Sequence, residues 1–270
     1  MNEPSGLGKT DRARLAALIR GTKGTISVAE ASDILKVGAK DASKMLSRWA
    51  KKGWVSRVKR GLYVTVPIES HTADVPLEDP WIVAERLFSP CYIGGWSAAE
   101  HWGLTEQIFR AILIMTTQSP RDRRQGFKGT SYVLRTVSPS AMFGLKTVWR
   151  GSIKVSVSDP SRTILDMVHI PKLGGGIRSV MDMLSAYMKS DHKDLSLIIS
   201  YGEKLGNGAV FKRLGFILEH NYPEEKIAIE ACRAMLTKGN ARLDPSLETN
   251  RLIRRWHLWV PQRLVEGNRE

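Results

Sequence analysis

Residues 39–66 read AKDASKMLSRWAKKGWVSRVKRGLYVTV, a basic amphipathic segment followed by a glycine and two β-prone runs. At 3.6 residues per turn, the segment before Gly53 gathers its cationic and hydroxyl side chains on one flank and its apolar side chains on the other. The polar flank consists of Lys40, Ser43, Lys44, Ser47, Arg48 and Lys51. Gly53 suits the left-handed position that commonly follows a helix. We therefore predict a helix over residues 39–52, with one face for packing and one face for a partner.

The two β-prone runs after Gly53 predict a hairpin. Residues 54–58 form the first run and residues 62–66 the second, with a turn containing Gly61 between them. Pro67 cannot donate to a strand ladder, so we expect the second strand to end there. The cationic side chains expected near the tip of this hairpin are Arg57, Lys59 and Arg60.

Two more helices are predicted upstream. Ser27 and Glu30 have the spacing of a capping box, so a helix should begin at Val28. The connector 36–39 contains Gly38, which we expect to permit the turn into the next helix. An apolar stripe predicts the first helix over residues 11–20. Three helices followed by a hairpin are the order of a winged helix-turn-helix, which we assign to residues 1–67.

The charge distribution points to the same segment. The chain carries a formal net charge of +14, and residues 1–67 hold 14 Lys or Arg against 5 Asp or Glu. Positive charge concentrated on one small domain attracts the phosphate backbone of nucleic acid, so we expect double-stranded DNA as its partner. A charged helix face can also be merely solvated, and some winged helices dock proteins instead, so these alternatives stay open.

The nine polar-flank and hairpin residues have different expected roles. Lys44, Ser47 and Arg48 lie centrally and are placed to meet base edges in the major groove. Five cationic residues are expected to contact phosphates: Lys40, Lys51, Arg57, Lys59 and Arg60. Ser43 is a further DNA-binding candidate of the polar flank. Because a single arginine discriminates bases weakly, we expect either two copies on a repeated site or further contacts from the rest of the chain, with the protein a monomer or a dimer on DNA.

The rest of the chain predicts an α+β protein, with a winged helix-turn-helix followed by a larger mixed α/β domain whose C-terminal half is helical. A proline-bearing linker is expected at 68–79 and the second domain at 80–270. Its α/β part should cover 80–158, its helical part 159–240, and a strand-like tail the remainder. Helices are expected to begin at Pro80 and, from a second capping box, near Ser97. The other expected elements are strands at 111–117, 131–137, 146–149 and 153–157, helices at 161–168, 177–189, 195–204, 209–219 and 224–236, and a sheet-edge strand within 252–260.

Several side chains of this second part have both a functional and a structural interpretation. Trp96, His101 and Trp102 could form a ligand-recognising aromatic set, but core packing is favoured. Asp159 and Asp166 could pair on a metal, whereas a cap at Pro160 and a surface ion pair between Arg162 and Asp166 are favoured. The basic segment 121–128 is expected to be a solvated loop that could extend contact with nucleic acid.

Composition argues against several protein classes. The chain has two cysteines, and its six histidines fall at no metal-ligand spacing, so we expect no metal and no cofactor. We find no signal peptide and no apolar run long enough for a membrane span, so we expect a cytoplasmic protein without membrane contact. An active site would need convergent carboxylates with a lysine, or a nucleophile with its base. Each candidate group of this kind has a favoured structural explanation, so we expect that the protein is not an enzyme. A winged helix fused to a nucleic-acid-processing enzyme is the competing class.

Three further segments carry a resemblance to a known family. They are GGWSAAEHWGL at 94–104, SDPSRTILD at 158–166 and RLGFILE at 213–219. Together, in this order, they resemble the AbiEi family of bacterial antitoxins. That resemblance implies the antitoxin and repressor of a type IV toxin-antitoxin operon, which functions in phage defence by abortive infection. It implies a winged helix bound to inverted repeats in its own promoter, and a C-terminal domain that counteracts a nucleotidyltransferase-like toxin without a stable complex. A stand-alone transcriptional regulator is the alternative.

Overall fold

The computed structural model describes residues 8–22, 24–66, 79–127, 129–151 and 153–262. Its first elements are three helices and a small sheet. They are α1 (Lys9–Gly21), β1 (Thr25–Ser27), α2 (Val28–Leu35), α3 (Ala39–Lys51), β2 (Val55–Lys59) and β3 (Leu62–Thr65). The strands form an antiparallel sheet in the order β1-β3-β2. The three helices and the hairpin expected from the sequence are therefore present, and β1 is an addition.

Local signals set the ends of these helices. The Ser27 hydroxyl accepts a hydrogen bond from the backbone N–H of Glu30 at 3.1 Å, and the Glu30 carboxylate accepts one from the N–H of Ser27 at 2.9 Å. The predicted capping box at α2 is confirmed. Gly53 has a φ of +79°, as expected for the residue after α3. The prediction for the α2–α3 connector was wrong, because Gly38 has a φ of −61° and Lys36 adopts the left-handed conformation instead.

The larger part contains a mixed sheet and a helical layer. The sheet strands are β4 (Cys91–Ile93), β5 (Ala111–Thr116), β6 (Arg124–Phe127), β7 (Thr130–Thr136), β8 (Leu145–Arg150) and β9 (Ile153–Ser158). Their order is β6-β7-β5-β4-β9-β8, so β6 and β8 are the edges. The helices are α4 (Pro80–Phe88), α5 (Gly95–His101), α6 (Pro160–His169), α7 (Ile177–Lys189), α8 (Leu195–Leu205), α9 (Gly208–Asn221) and α10 (Lys226–Ala234). The chain is thus a mixed α+β protein. All residues of the predicted linker except the last lie outside the described residues.

Three expectations for this part were wrong. Ser97 does not cap a helix, since α5 begins earlier and the Ser97 hydroxyl accepts from the N–H of Leu113 at 2.9 Å. The basic loop is partly strand, because Arg124 opens β6. The tail does not join the large sheet. It forms a separate three-stranded sheet from β10 (Ala241–Arg242), β11 (Arg251–Ile253) and β12 (Leu258–Val260).

The large sheet separates two hydrophobic clusters. One face packs with α6–α10 and with the small C-terminal sheet, where Trp256 lies so close to Gly215 of α9 that an added Cβ would clash with its ring. The other face packs with α4. That second cluster also includes Val58, Leu62 and Val64 of the β2–β3 hairpin, together with Leu87 of α4. The hairpin is therefore packed against the larger part. In the ranges described here, every helix is too short or too polar to cross a bilayer.

Candidate nucleic-acid interface

Helix α3 has the two faces that its sequence predicts. Ala42, Met45, Leu46 and Trp49 are buried on its inner face, where they pack against α1 and α2. Among the residues that the structure describes, none covers the opposite flank. Lys40, Lys44, Arg48 and Lys51 are exposed on it, and Ser43 and Ser47 are half-buried. The predicted polar flank is thus present as one continuous cationic surface.

The β2–β3 hairpin presents a second cationic surface. Arg57 pairs with Tyr63 and Lys59 pairs with Leu62, so Val58 is an extra residue that breaks the register. This bulge leaves the Arg57 and Lys59 side chains exposed while Val58 stays buried. Gly61 adopts a φ of +81° in the turn beside the exposed Arg60. The hairpin therefore directs three cations to solvent and its apolar side chains inward.

Two polar-flank residues have partners within the protein. A guanidinium nitrogen of Arg48 lies 3.2 Å from a carboxylate oxygen of Asp11 in α1, and the Arg48 side chain remains 55% exposed. The Ser47 hydroxyl lies 3.2 Å from the hydroxyl of Tyr63 on β3. Sequence reasoning missed the carboxylate beside Arg48, because Asp11 lies 37 residues away along the chain.

The other six cationic side chains are available to a ligand. Across the residues that the structure describes, they form no ion pair: Lys40, Lys44, Lys51, Arg57, Lys59 and Arg60. A helix of this length spans about 20 Å at about 1.5 Å per residue, and a B-DNA major groove of about 12 Å width accepts one helix. The arrangement can therefore neutralise several phosphates along one groove.

An ion pair also joins the N-terminal part to the larger part. Glu30, whose carboxylate caps α2, pairs with Arg86 of α4 at 2.8 Å. Burial raises the pKa of Glu30, but the hydrogen bonds from Ser27 and the positive charge of Arg86 outweigh it and lower that pKa. The same carboxylate thus ends a helix of the N-terminal part and connects it to the larger part.

The predicted ion pair between Arg162 and Asp166 exists, but its predicted surface position was wrong. The two side chains lie 2.9 Å apart and are 1% and 4% exposed. Tyr92 donates from its hydroxyl to Asp166 at 2.9 Å and accepts from Arg162 at 3.2 Å. Burial lowers the pKa of Arg162, but the negative charge of Asp166 outweighs this and raises it. Asp159 caps α6 as expected, through the N–H of Arg162 at 2.7 Å.

The aromatic side chains named from the sequence lie in two places. Trp96 is half-buried and stacks on Phe109, with ring centroids 5.4 Å apart and an interplanar angle of 16°. His101 and Trp102 contact each other edge to face, with centroids 4.6 Å apart. In the basic segment, Arg121, Arg123 and Arg124 are exposed. Lys128 lies outside the described residues.

Comparison with known proteins identifies the N-terminal part. Residues 13–66 match the family described as "Transcriptional regulator, AbiEi antitoxin". This segment contains α2, α3 and the hairpin, and the match confirms the family that the sequence resembles. No curated protein matches the chain. Among solved structures, the chain is similar to the RV2827C protein from Mycobacterium tuberculosis, with a TM-score of 0.64 and 15% identity over 99% of each chain. That likeness shows a shared fold.

Proposed function

With an AbiEi-type regulator domain at residues 13–66, we propose that this protein is a cytoplasmic antitoxin that binds duplex DNA and represses its own operon. In this proposal α1–α3 and the β2–β3 hairpin are a winged helix-turn-helix, and α3 enters the major groove. The larger part opposes a nucleotidyltransferase-like toxin without forming a stable complex and without catalysing a reaction itself.

The observation that carries the DNA-binding proposal is the solvent-exposed cationic surface of α3 and the hairpin. Its cationic side chains are exposed to solvent with the described residues of the larger part in place. Such a surface releases condensed counterions from DNA, which gives salt-dependent affinity. Arg48 is the only arginine of α3 and therefore the side chain of that helix suited to bidentate contact with guanine.

A salt titration with a duplex from upstream of the gene tests this proposal. Lys59→Ala should weaken binding to every sequence and reduce the salt slope by about one, because it removes one phosphate contact. Arg48→Ala should relax base preference at one position, with a loss of about 1–3 kcal/mol for the preferred base. Lys189→Ala, which removes an exposed charge from α7, is the matched control. Wild-type affinity for the duplex in both surface variants would disprove the proposal that α3 and the hairpin bind DNA.

The antitoxin role has a separate test in cells. Expression of the neighbouring toxin gene should arrest growth, and co-expression of this protein should restore it. Arg48→Ala should still restore growth while losing repression, because the two activities use different parts of the chain. Failure of the wild-type protein to restore growth would favour the alternative that it is a stand-alone transcriptional regulator. Co-purification with the toxin at equal stoichiometry would instead favour direct capture.

The proposal that the larger part is not an enzyme rests on how its charged residues are used. Arg162, Asp166 and Tyr92 are buried and satisfy one another's hydrogen bonds, which is the pattern of a structural network. Incubation of the protein with Mg²⁺ and labelled RNA or DNA tests it. Turnover that is lost on substitution of a carboxylate in the larger part would overturn it.

A further inference from the structure

The larger part contains a cleft that the DNA-binding surface does not use. It lies beside α5 and the edge strand β6 and has a volume of about 440 Å³. That volume is within the range of small-molecule sites, about 300–1,000 Å³. The residues that give it its chemistry are Trp96, Phe109, Arg110, Arg124, Gly126 and Ser131.

The register of the sheet explains which side chains reach this cleft. Arg124 is opposite Val133, Gly126 is opposite Ser131, and Ser131 is in turn opposite Ala111. Opposed residues share one face of a sheet, so alternate positions of β6 and β7 project together. At Gly126 an added Cβ would meet nothing closer than 4.0 Å. The glycine therefore leaves open a part of the cleft that a side chain would fill.

One wall of the cleft is a fixed aromatic platform. The rings of Trp96 and Phe109 are stacked and half-buried. The indole N–H of Trp96 donates to the carbonyl of Ala111 at 2.7 Å, which holds the ring against β5. A planar ligand can stack on such a platform at little entropic cost, because the rings are already positioned.

The cleft is also cationic. Arg110 and Arg124 line it and are exposed, and Arg121 and Arg123 precede β6 directly. No acidic residue is among those that line it, although Asp122 lies in the adjoining turn, where its carbonyl accepts from the Gln125 amide at 3.1 Å. Two guanidinium groups beside an aromatic stack suit a ligand that combines a planar ring with a phosphate.

From these observations we infer that the cleft binds a nucleotide unit, with the base extending the stack of Trp96 and Phe109 and the phosphate held by Arg110 and Arg124. A free mononucleotide and a residue of a single strand both offer this chemistry. Duplex DNA does not, because its bases are stacked within the helix. The inference does not rest on DNA binding by α3, since the two sites share no residue.

Fluorescence anisotropy with the full-length protein tests the inference. The probes are a labelled RNA octamer of adenosines and an abasic octamer of the same length, with AMP as competitor. Phe109→Ala should weaken binding of the adenosine octamer about tenfold, because stacking of one base is lost, and should leave the abasic octamer unaffected. Gly126→Phe should block the cleft without removing any native side chain. Arg251→Ala, an exposed arginine of β11, is the matched control and should bind as wild type.

The possible results separate this site from the surface of α3. Competition by AMP identifies a free mononucleotide as a ligand, whereas octamer binding without AMP competition identifies a strand, and both support the inference. It is overturned if neither RNA nor AMP binds, or if the abasic octamer binds as tightly as the adenosine octamer. It is also overturned if Lys44→Ala weakens octamer binding while Phe109→Ala and Gly126→Phe do not. Gly126→Phe should leave binding to the upstream duplex unchanged, so the two proposals can fail separately.

Discussion

At the scale of single residues, Arg48 is a candidate DNA-binding side chain whose charge is partly balanced by a neighbouring carboxylate. Asp11 lies within ion-pair distance of it and adds negative charge at the edge of the cationic surface. A phosphate or a base must compete with that carboxylate. If this surface binds DNA as proposed, we expect Asp11 to lower the affinity for DNA in general while it holds the Arg48 guanidinium in one position.

We predict that Asp11→Asn tightens binding to any duplex by about threefold, since an exposed ion pair contributes at most about 1 kcal/mol. Preference for the cognate sequence should fall, because the amide holds Arg48 less firmly. Anisotropy titrations with cognate and scrambled duplexes measure both effects. Asp182→Asn, which removes an exposed carboxylate from α7, is the control. Weaker binding by Asp11→Asn would mean that Asp11 positions Arg48 for contact rather than competing for it.

The buried ion pair of α6 leads to a stability prediction. Removing one partner of a buried pair leaves an uncompensated charge, so Asp166→Ala should lower the free energy of unfolding by about 3–5 kcal/mol. The double variant Arg162→Met with Asp166→Leu should be less destabilised than Asp166→Ala. Urea denaturation measures this, and Glu230→Gln in an exposed ion pair of α10 should change stability little. A double variant less stable than the single one would contradict the prediction.

At the level of secondary structure, the connector between α2 and α3 is a place where the sequence misleads. The sequence predicts that Gly38 permits the turn, but it is Lys36 that has the left-handed φ of 51°. Helices commonly end on such a residue, and a lysine can occupy the position at a cost of about 1 kcal/mol relative to glycine.

Substitutions at these two positions should therefore affect the free energy of unfolding differently from what the sequence alone suggests. Lys36→Gly should raise the free energy of unfolding by about 0.5–1 kcal/mol, because it relieves the left-handed conformation. Gly38→Ala should change stability by less than about 1 kcal/mol, because its backbone is already in a region open to all residues, and the reduced freedom of the unfolded chain offsets the poorer N-cap that alanine gives α3. Thermal and urea unfolding of the two variants measure both effects. Destabilisation by Lys36→Gly together with strong destabilisation by Gly38→Ala would show that the glycine makes the turn after all.

The elements that sequence reasoning located share a local cause. Capping residues and apolar periodicity lie within the helix that they specify, so α2, α3, α6 and α7 were located within one or two residues. The strands β1 and β4 were missed because each is short and depends on a distant partner. The strand β6 pairs with the adjacent β7, and it was missed because its sequence RQGF is basic, contains a glycine and is not β-prone. The polar flank of α3 was predictable in full from its period. The platform of Trp96 and Phe109 was not, because tertiary packing alone brings those rings together.

At the scale of the whole molecule, the main feature is the hydrophobic cluster that the β2–β3 hairpin shares with α4 and the large sheet. Val58, Leu62 and Val64 are each at most 9% exposed in the intact chain, and they share a cluster with Val83 and Leu87. In an isolated N-terminal fragment these three side chains would face water. The larger part therefore contributes to the stability of the part that we expect to bind DNA.

This contact predicts a substitution whose effect depends on chain length. Leu62→Lys should destabilise the full-length protein by about 2–5 kcal/mol, because it removes a buried leucine and places a cation in an apolar contact. In a fragment of residues 1–67 the same change should reduce self-association with little loss of stability. Urea unfolding and sedimentation of both lengths test it, with Ile19→Lys at an already exposed position as the control. Equal destabilisation at both lengths would show that Leu62 supports the hairpin alone.

If two molecules bind a palindrome as proposed, the apolar cluster shared by the hairpin and the larger part limits how they can lie side by side. In the structure α3 is not separate from the larger part, because the hairpin that follows it shares a hydrophobic cluster with α4 and the large sheet. Each copy must therefore bring its whole bulk to the duplex in a set orientation. The shortest tolerated spacer between half-sites is then governed by steric collision of the large lobes, and an operator shortened below that limit would accept one molecule rather than two.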